Sequence, residues 1–119
     1  MQTYKFTLDY DLTAYSHTLK NVYFASEWLF LNGGHITIKR GYSWDGCTFA
    51  PDTKETYAAS CVHDAMYQFK IDREVSDNAF YELLKQHGFR YAKIYYISVR
   101  LFGFYFINYE NNKREFRVI

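Results

Sequence analysis

The sequence predicts an α+β fold: N-terminal antiparallel strands with a hairpin, then three helices, the first carrying a His-Asp pair. Three observations predict it. Tyr4, Phe6 and Leu8 alternate with Lys5, Thr7 and Asp9, the period of two that half-buries a strand. Asn32-Gly33-Gly34 separates two apolar runs, and Asn and Gly tolerate the positive φ that a tight hairpin turn needs. From about Lys54 onward the apolar residues recur at helical spacing instead. The 119 residues are read as one domain, 1–119, with room for a single core.

After the first strand comes an aromatic-rich run from Asn21 to Leu31, with Val22-Tyr23-Phe24 and Trp28-Leu29-Phe30-Leu31. Beyond the Asn-Gly-Gly turn, Ile36 and Ile38 of His35-Ile36-Thr37-Ile38-Lys39 share one strand face. Gly41 to Pro51 reads as a loop, punctuated by two glycines and the only proline. Tyr42, Trp44 and Phe49 are too large and apolar for that loop to hang in water, so it is expected to be held in a fixed shape. A first helix from about Lys54 to Phe69 opens with Ala58-Ala59-Ser60-Cys61, small enough for close packing. Asp72 is placed to N-cap a second helix. That helix runs to about His87, with Val75, Ala79, Phe80, Leu83 and Leu84 on its apolar face and Gly88 at C′. A third helix spans roughly Tyr91 to Phe106, and the polar, basic residues from Asn108 onward are expected to fray.

Hydrophobic residues make up 49% of the chain and aromatic ones 22%, a load that a disordered segment does not carry. A net charge of +1 removes the electrostatic case for a nucleic-acid binder. The C-terminal third is nevertheless basic, through Lys85, Arg90, Lys93, Arg100, Lys113, Arg114 and Arg117. It reads either as a solvated helix face or as a contact for phosphate, an anionic lipid surface or an acidic partner. Cys47 and Cys61 make neither a disulfide framework nor a CxxC zinc pattern. Met1 leads straight into a strand pattern without the basic and apolar leader of a signal peptide. No run of about 18 apolar residues marks a membrane span. A soluble protein in a reducing cytoplasm is the expectation.

Chemistry is expected at Ser60-Cys61-Val62-His63-Asp64-Ala65-Met66-Tyr67. Histidine titrates nearest neutrality and is the usual general base, and an acid on one ring nitrogen fixes its tautomer. The short connection between Tyr67 and Asp72 makes the first two helices antiparallel neighbours, about 8–10 Å apart, and sets Asp77 at the height of His63. Tyr67 lies one turn beyond His63 on the same face, where its hydroxyl reaches Asp77. Asp64 points about 100° away around the helix. It is left to bind a cation, to carry charge beside the site, or to sit in solvent. Asp45, before Gly46, is either a turn-capping aspartate or a carboxylate held at a site by a rigid loop. Cys61 and Ser60 are poorly placed to serve His63 as nucleophiles, so water activation, with or without a metal, is the expected chemistry. The alternative is that His63 and Asp77 are a core pair holding two helices together.

Val62-His63-Asp64-Ala65-Met66-Tyr67 resembles the V-H-D-x-x-Y of secreted phospholipases A2. Ser76-Asp77-Asn78-Ala79-Phe80 resembles the A-D-x-x-F of the antiparallel helix in the viral-capsid branch of that superfamily. The resemblance implies that His63 deprotonates a water, Asp77 orients His63, Tyr67 supports Asp77 and Asp64 ligates calcium, with a lipid substrate. No glycine-rich calcium loop lies upstream, and Ala59 and Ser60 stand in place of paired cysteines. A broader resemblance, over residues 28 to 103, is to a family of small tailed-phage and prophage proteins, a domain of unknown function. It rests on Gly41-Tyr42-x-Trp44-Asp45-Gly46-x-Thr48-x-x-Pro51, His63-Asp64-x-x-Tyr67-Gln68, Asp77-x-x-Phe80-Tyr81-x-x-Leu84 and Val99-Arg100-Leu101-Phe102-Gly103, in that order. It implies a phage origin, with a place in the host cytoplasm or on the virion. It also puts the Trp44-Asp45-Gly46 loop in one signature with the His-Asp helix, so Asp45 is expected to line the same pocket as Asp64.

Two functional readings follow. One is a small phage-encoded hydrolase-like domain in which His63 and Asp77 activate water on an ester or lipid-type linkage, with Asp64 and Asp45 available to a divalent cation, calcium by the resemblance. The other is a non-enzymatic phage accessory protein, a tail or assembly factor or an inhibitor of a host defence complex, that binds a protein partner.

Overall fold

The computed structural model describes residues 4–47 and 50–115, of which 104–115 by backbone alone. Among them, short strands β1 (Phe6–Thr7), β2 (Leu12–Tyr15), β3 (Tyr23–Ala25), β4 (Leu29–Asn32), β5 (His35–Ile38) and β6 (Ser43–Trp44) come first. Helices α1 (Tyr57–Gln68), α2 (Arg73–Gln86) and α3 (Ala92–Glu115) follow. The α+β class and its order of strands before helices are as the sequence predicts.

Four strands form an antiparallel sheet in the order β2-β5-β4-β3, and β1 pairs with β6 in a separate two-stranded ribbon. The period of two sends Leu12, Leu29, Leu31, Ile36 and Ile38 to one face, where all are buried. They share one core with Val62, Ala65 and Met66 of α1. The expected hairpin is β4–β5, closed by the Asn32–His35 pair with Gly33 and Gly34 at φ of 59° and 97°.

The sequence reading differs from the fold in three places. The aromatic run from Asn21 to Leu31 is two strands rather than one, and a turn at Ser26 splits it. The Ser26 hydroxyl accepts from the Trp28 and Leu29 amides and donates to the Leu29 carbonyl, so a side chain closes the turn without glycine or proline. Strand β6 lies inside the segment read as loop, and β2 (Leu12–Tyr15) lies in a stretch to which no run was assigned. Helix α3 is continuous to Glu115 rather than ending near Phe106 and fraying from Asn108. Elsewhere the signals hold: the Asp72 carboxylate accepts from the Val75 amide at 3.0 Å as the N-cap of α2. No helix among the described residues is long and apolar enough to cross a membrane.

One carboxylate ties the sheet to the helices. Glu82 of α2 accepts from the Ser16 hydroxyl (2.8 Å), the His17 amide (2.7 Å), and both the amide (3.0 Å) and hydroxyl (2.7 Å) of Thr18. These donors sit where β2 ends in a 3₁₀ turn at His17–Leu19. Burial works against the Glu82 charge, but the donors of Thr18, His17 and Ser16 outweigh it and hold the carboxyl at about 2, from 4.5. A carboxyl depressed on folding stabilises the fold above its unfolded value, and that stability is lost as pH falls through the folded value. Stability is therefore expected to drop between about pH 4.5 and about pH 2. Glu82→Ala should cost about 2 kcal/mol at pH 7 and flatten that acid limb, as read by urea unfolding across pH.

Candidate active site

Helix α1 runs antiparallel to α2, and its inward face carries His63 and Tyr67 one turn apart. The two side chains converge on one oxygen of Asp77. His63 Nε2 lies 2.7 Å from Asp77 Oδ1, and the Tyr67 hydroxyl donates to the same oxygen. The His63 ring is held between Tyr67 and Phe80, at centroid distances of 4.1 and 4.6 Å. The structure thus brings together the three residues that the spacing assigned to each other. His63 is only 5% exposed and Asp77 is fully buried.

The second oxygen of Asp77 is occupied from α3. Arg100 Nη1 donates to Oδ2 at 3.0 Å, and Arg73 Nε stands 3.8 Å away. Arg73 also donates through Nη2 to the Arg100 carbonyl. Burial pushes the Asp77 carboxyl up, but the bonds from His63, Tyr67 and Arg100 outweigh it and hold it below the ordinary carboxylate range. A charged Asp77 makes Nε2 the protonated nitrogen of neutral His63 and leaves the ring's lone pair on Nδ1. Burial and the Asp77 charge both raise Tyr67, which therefore stays a donor. Burial opposes the Arg100 charge, and Asp77 outweighs it, so Arg100 is held more firmly protonated than usual.

Of the basic C-terminal third, Arg100 is paired within the protein, with Asp77. Arg73, four residues before Asp77, was legible as a helical pair. Arg100 carried no such local signal. Gly103, from the Val99-to-Gly103 motif, explains how α3 comes so close. A Cβ there would meet the Tyr67 hydroxyl at 2.7 Å and Arg73 Nε at 2.8 Å. Gly103→Ala should push α3 away from the Asp77 cluster at a cost of about 1–3 kcal/mol, read as a fall in the urea midpoint.

The loop before α1 is held by residues of its own motif. Tyr42 donates to Gln68 Oε1 at 2.9 Å and Trp44 Nε1 to Ser60 Oγ at 3.0 Å, so both ends of α1 are tied to it. Asp52 accepts from the Cys47 amide at 2.6 Å and pairs with Lys5 Nζ at 2.5 Å. Gly46 has φ of 79°, and a Cβ there would strike the Asp52 carboxylate, so only glycine fits.

Between this loop and the helices lies a cavity of about 20 Å³, room for one water. His63, Asp64 and Ser60 of α1 line it, with Gly46 and Cys47 of the loop and Ser98 of α3 among the others. Asp64 is thus buried beside the site and not in solvent. Asp45, by contrast, is not among the lining residues; its Oδ1 accepts from the Lys5 amide at 3.1 Å. The expectation that Asp45 shares a pocket with Asp64 is not met, because the loop turns that carboxylate toward the N-terminal strand.

No family model, no curated protein and no solved structure matches the chain. Geometry alone therefore carries the functional argument. Among the described residues, no group of three His, Cys, Asp or Glu side chains is placed to hold a metal ion. Neither Cys47 nor Cys61 forms a disulfide. Burial, reinforced by the charge of Asp52, pushes the Cys47 thiol up to about 12, so at neutral pH it is no thiolate nucleophile. The hydroxyls on the cavity wall are also committed. Ser60 donates to Tyr57 O, Ser98 to Ile94 O and Tyr95 to Pro51 O.

Proposed function

We propose that the chain is a small phage-encoded hydrolase-like protein in which His63, oriented by Asp77, activates a water against an ester or lipid-type linkage. One observation carries the reading: His63 is bonded through Nε2 to a buried, charged Asp77 and at the same time lines a cavity with room for one water. Water in that cavity gives a proton to Nδ1 as its oxygen bonds the acyl carbon. The ester C–O bond then breaks, and the same proton passes from Nδ1 to the departing alkoxide. Asp77 stabilises the imidazolium in between and does not itself take the proton. Tyr67 and Arg100 are positioning residues, which hold the two oxygens of Asp77.

A rival reading, a phage accessory protein that acts by binding a protein partner, has its own support. His63 is nearly sealed, the cavity beside it is small, about 20 Å³, and the wall hydroxyls are already committed as donors. In that reading the network locks three helices together. Incubation of the full chain with carboxylic esters and phospholipids, with release of acid or fatty acid as the readout, separates the two. Turnover supports the hydrolase, and none on any ester favours the accessory protein.

A further inference from the structure

We propose that the outward face of α3 docks on anionic lipid membranes. Ala92, Val99 and Gly103 turn inward, and the opposite side of the helix is apolar where a surface helix is ordinarily polar. Ile94, Ile97 and Leu101, at i, i+3 and i+7, are 60%, 46% and 67% exposed, with Phe102 at 48% beside them. Exposed aliphatic side chains aligned along one helix mark a contact surface rather than chance.

Charge selects the occupant. Between Glu82 and Glu110 the chain has no acidic residue, and Arg90 and Lys93 at the start of the face are exposed. Arg100 is not available to it, being bonded to Asp77. A second copy would set these cations against cations of the same kind, which costs affinity. An anionic lipid surface meets both features: headgroups take the cations while the aliphatic stripe enters the acyl boundary. Tyr91, exposed with Arg90 over its ring at 5.7 Å, is the kind of half-polar ring that settles at such a boundary. Tyr95, Ser98 and Val99 line the His63 cavity on the inner side of the same helix, away from this face. The docking itself does not depend on the hydrolase reading.

The test is co-sedimentation of the full chain with phosphatidylcholine vesicles, with and without phosphatidylglycerol. Binding is expected to the anionic vesicles and to weaken as salt rises. The double variant Ile94→Glu/Leu101→Glu should bind at least about tenfold more weakly with an unchanged melting temperature, because both positions face solvent. His63→Gln should bind like the wild type, which separates failure of docking from failure of the chemistry. No partition onto anionic vesicles, or equal partition by the double variant, overturns the proposal. So does a dimer in light scattering that the double variant dissolves without any vesicle binding by the wild type.

Discussion

Asp77→Ala should lower the unfolding free energy by about 3–5 kcal/mol, measured by urea unfolding at pH 7. The substitution leaves Tyr67 and His63 facing an apolar gap where they shared an acceptor, and it strips Arg100 of its partner. The Arg100 side chain is 32% exposed and can rehydrate, which places the loss toward the lower end of that range. The loss is conditional on the charges left behind. Asp77→Ala combined with Arg100→Met should therefore cost less than the sum of the two single changes, by about 1–3 kcal/mol. Strict additivity would mean that the bond between α2 and α3 contributes nothing. A wild-type urea midpoint for Asp77→Ala would remove the cluster as the element that joins the three helices.

Trp44→Ala should be comparably damaging, at about 3–5 kcal/mol. The indole is fully buried, with its centroid 5.3 Å from Phe6 and 5.0 Å from Tyr57, and its Nε1 donates to Ser60. Its loss opens a void between the β1–β6 ribbon and the start of α1, next to the cavity wall. Trp44→Phe keeps a ring in that space and gives up the hydrogen bond and some volume, so about 1–3 kcal/mol is expected. Equal losses for the two changes would mean that the hydrogen bond, and not packing, holds the loop.

The same residues show what a sequence can and cannot disclose. Helix signals are local: Asp72 caps α2, and Tyr67 falls one turn from His63, so three helices and the His63–Asp77–Tyr67 triangle were readable from spacing. The Ser26 turn was not, because a serine closing its own turn has no compositional mark. Nor was β6, since its two residues, Ser43 and Trp44, lie between glycines and pair with Thr7 and Phe6, far away in the chain. Arg100 was counted among surface cations because charge alone does not say which way a helix faces; only the approach of α3 through Gly103 brings it to Asp77. Asp45 shared a motif with the site but serves the loop. A motif of tightly spaced residues records a packing requirement as readily as a chemical one.

His63→Gln is the most direct test of the dyad. Glutamine keeps an N–H that can serve Asp77 but has no basic nitrogen to take a proton from water. Ester hydrolysis per folded molecule should fall by about 10²- to 10⁴-fold, while the unfolding free energy changes by less than about 1.5 kcal/mol. Contradiction would take the form of hydrolysis that persists in the variant, or of a wild type with no activity and a variant whose only defect is a large loss of stability.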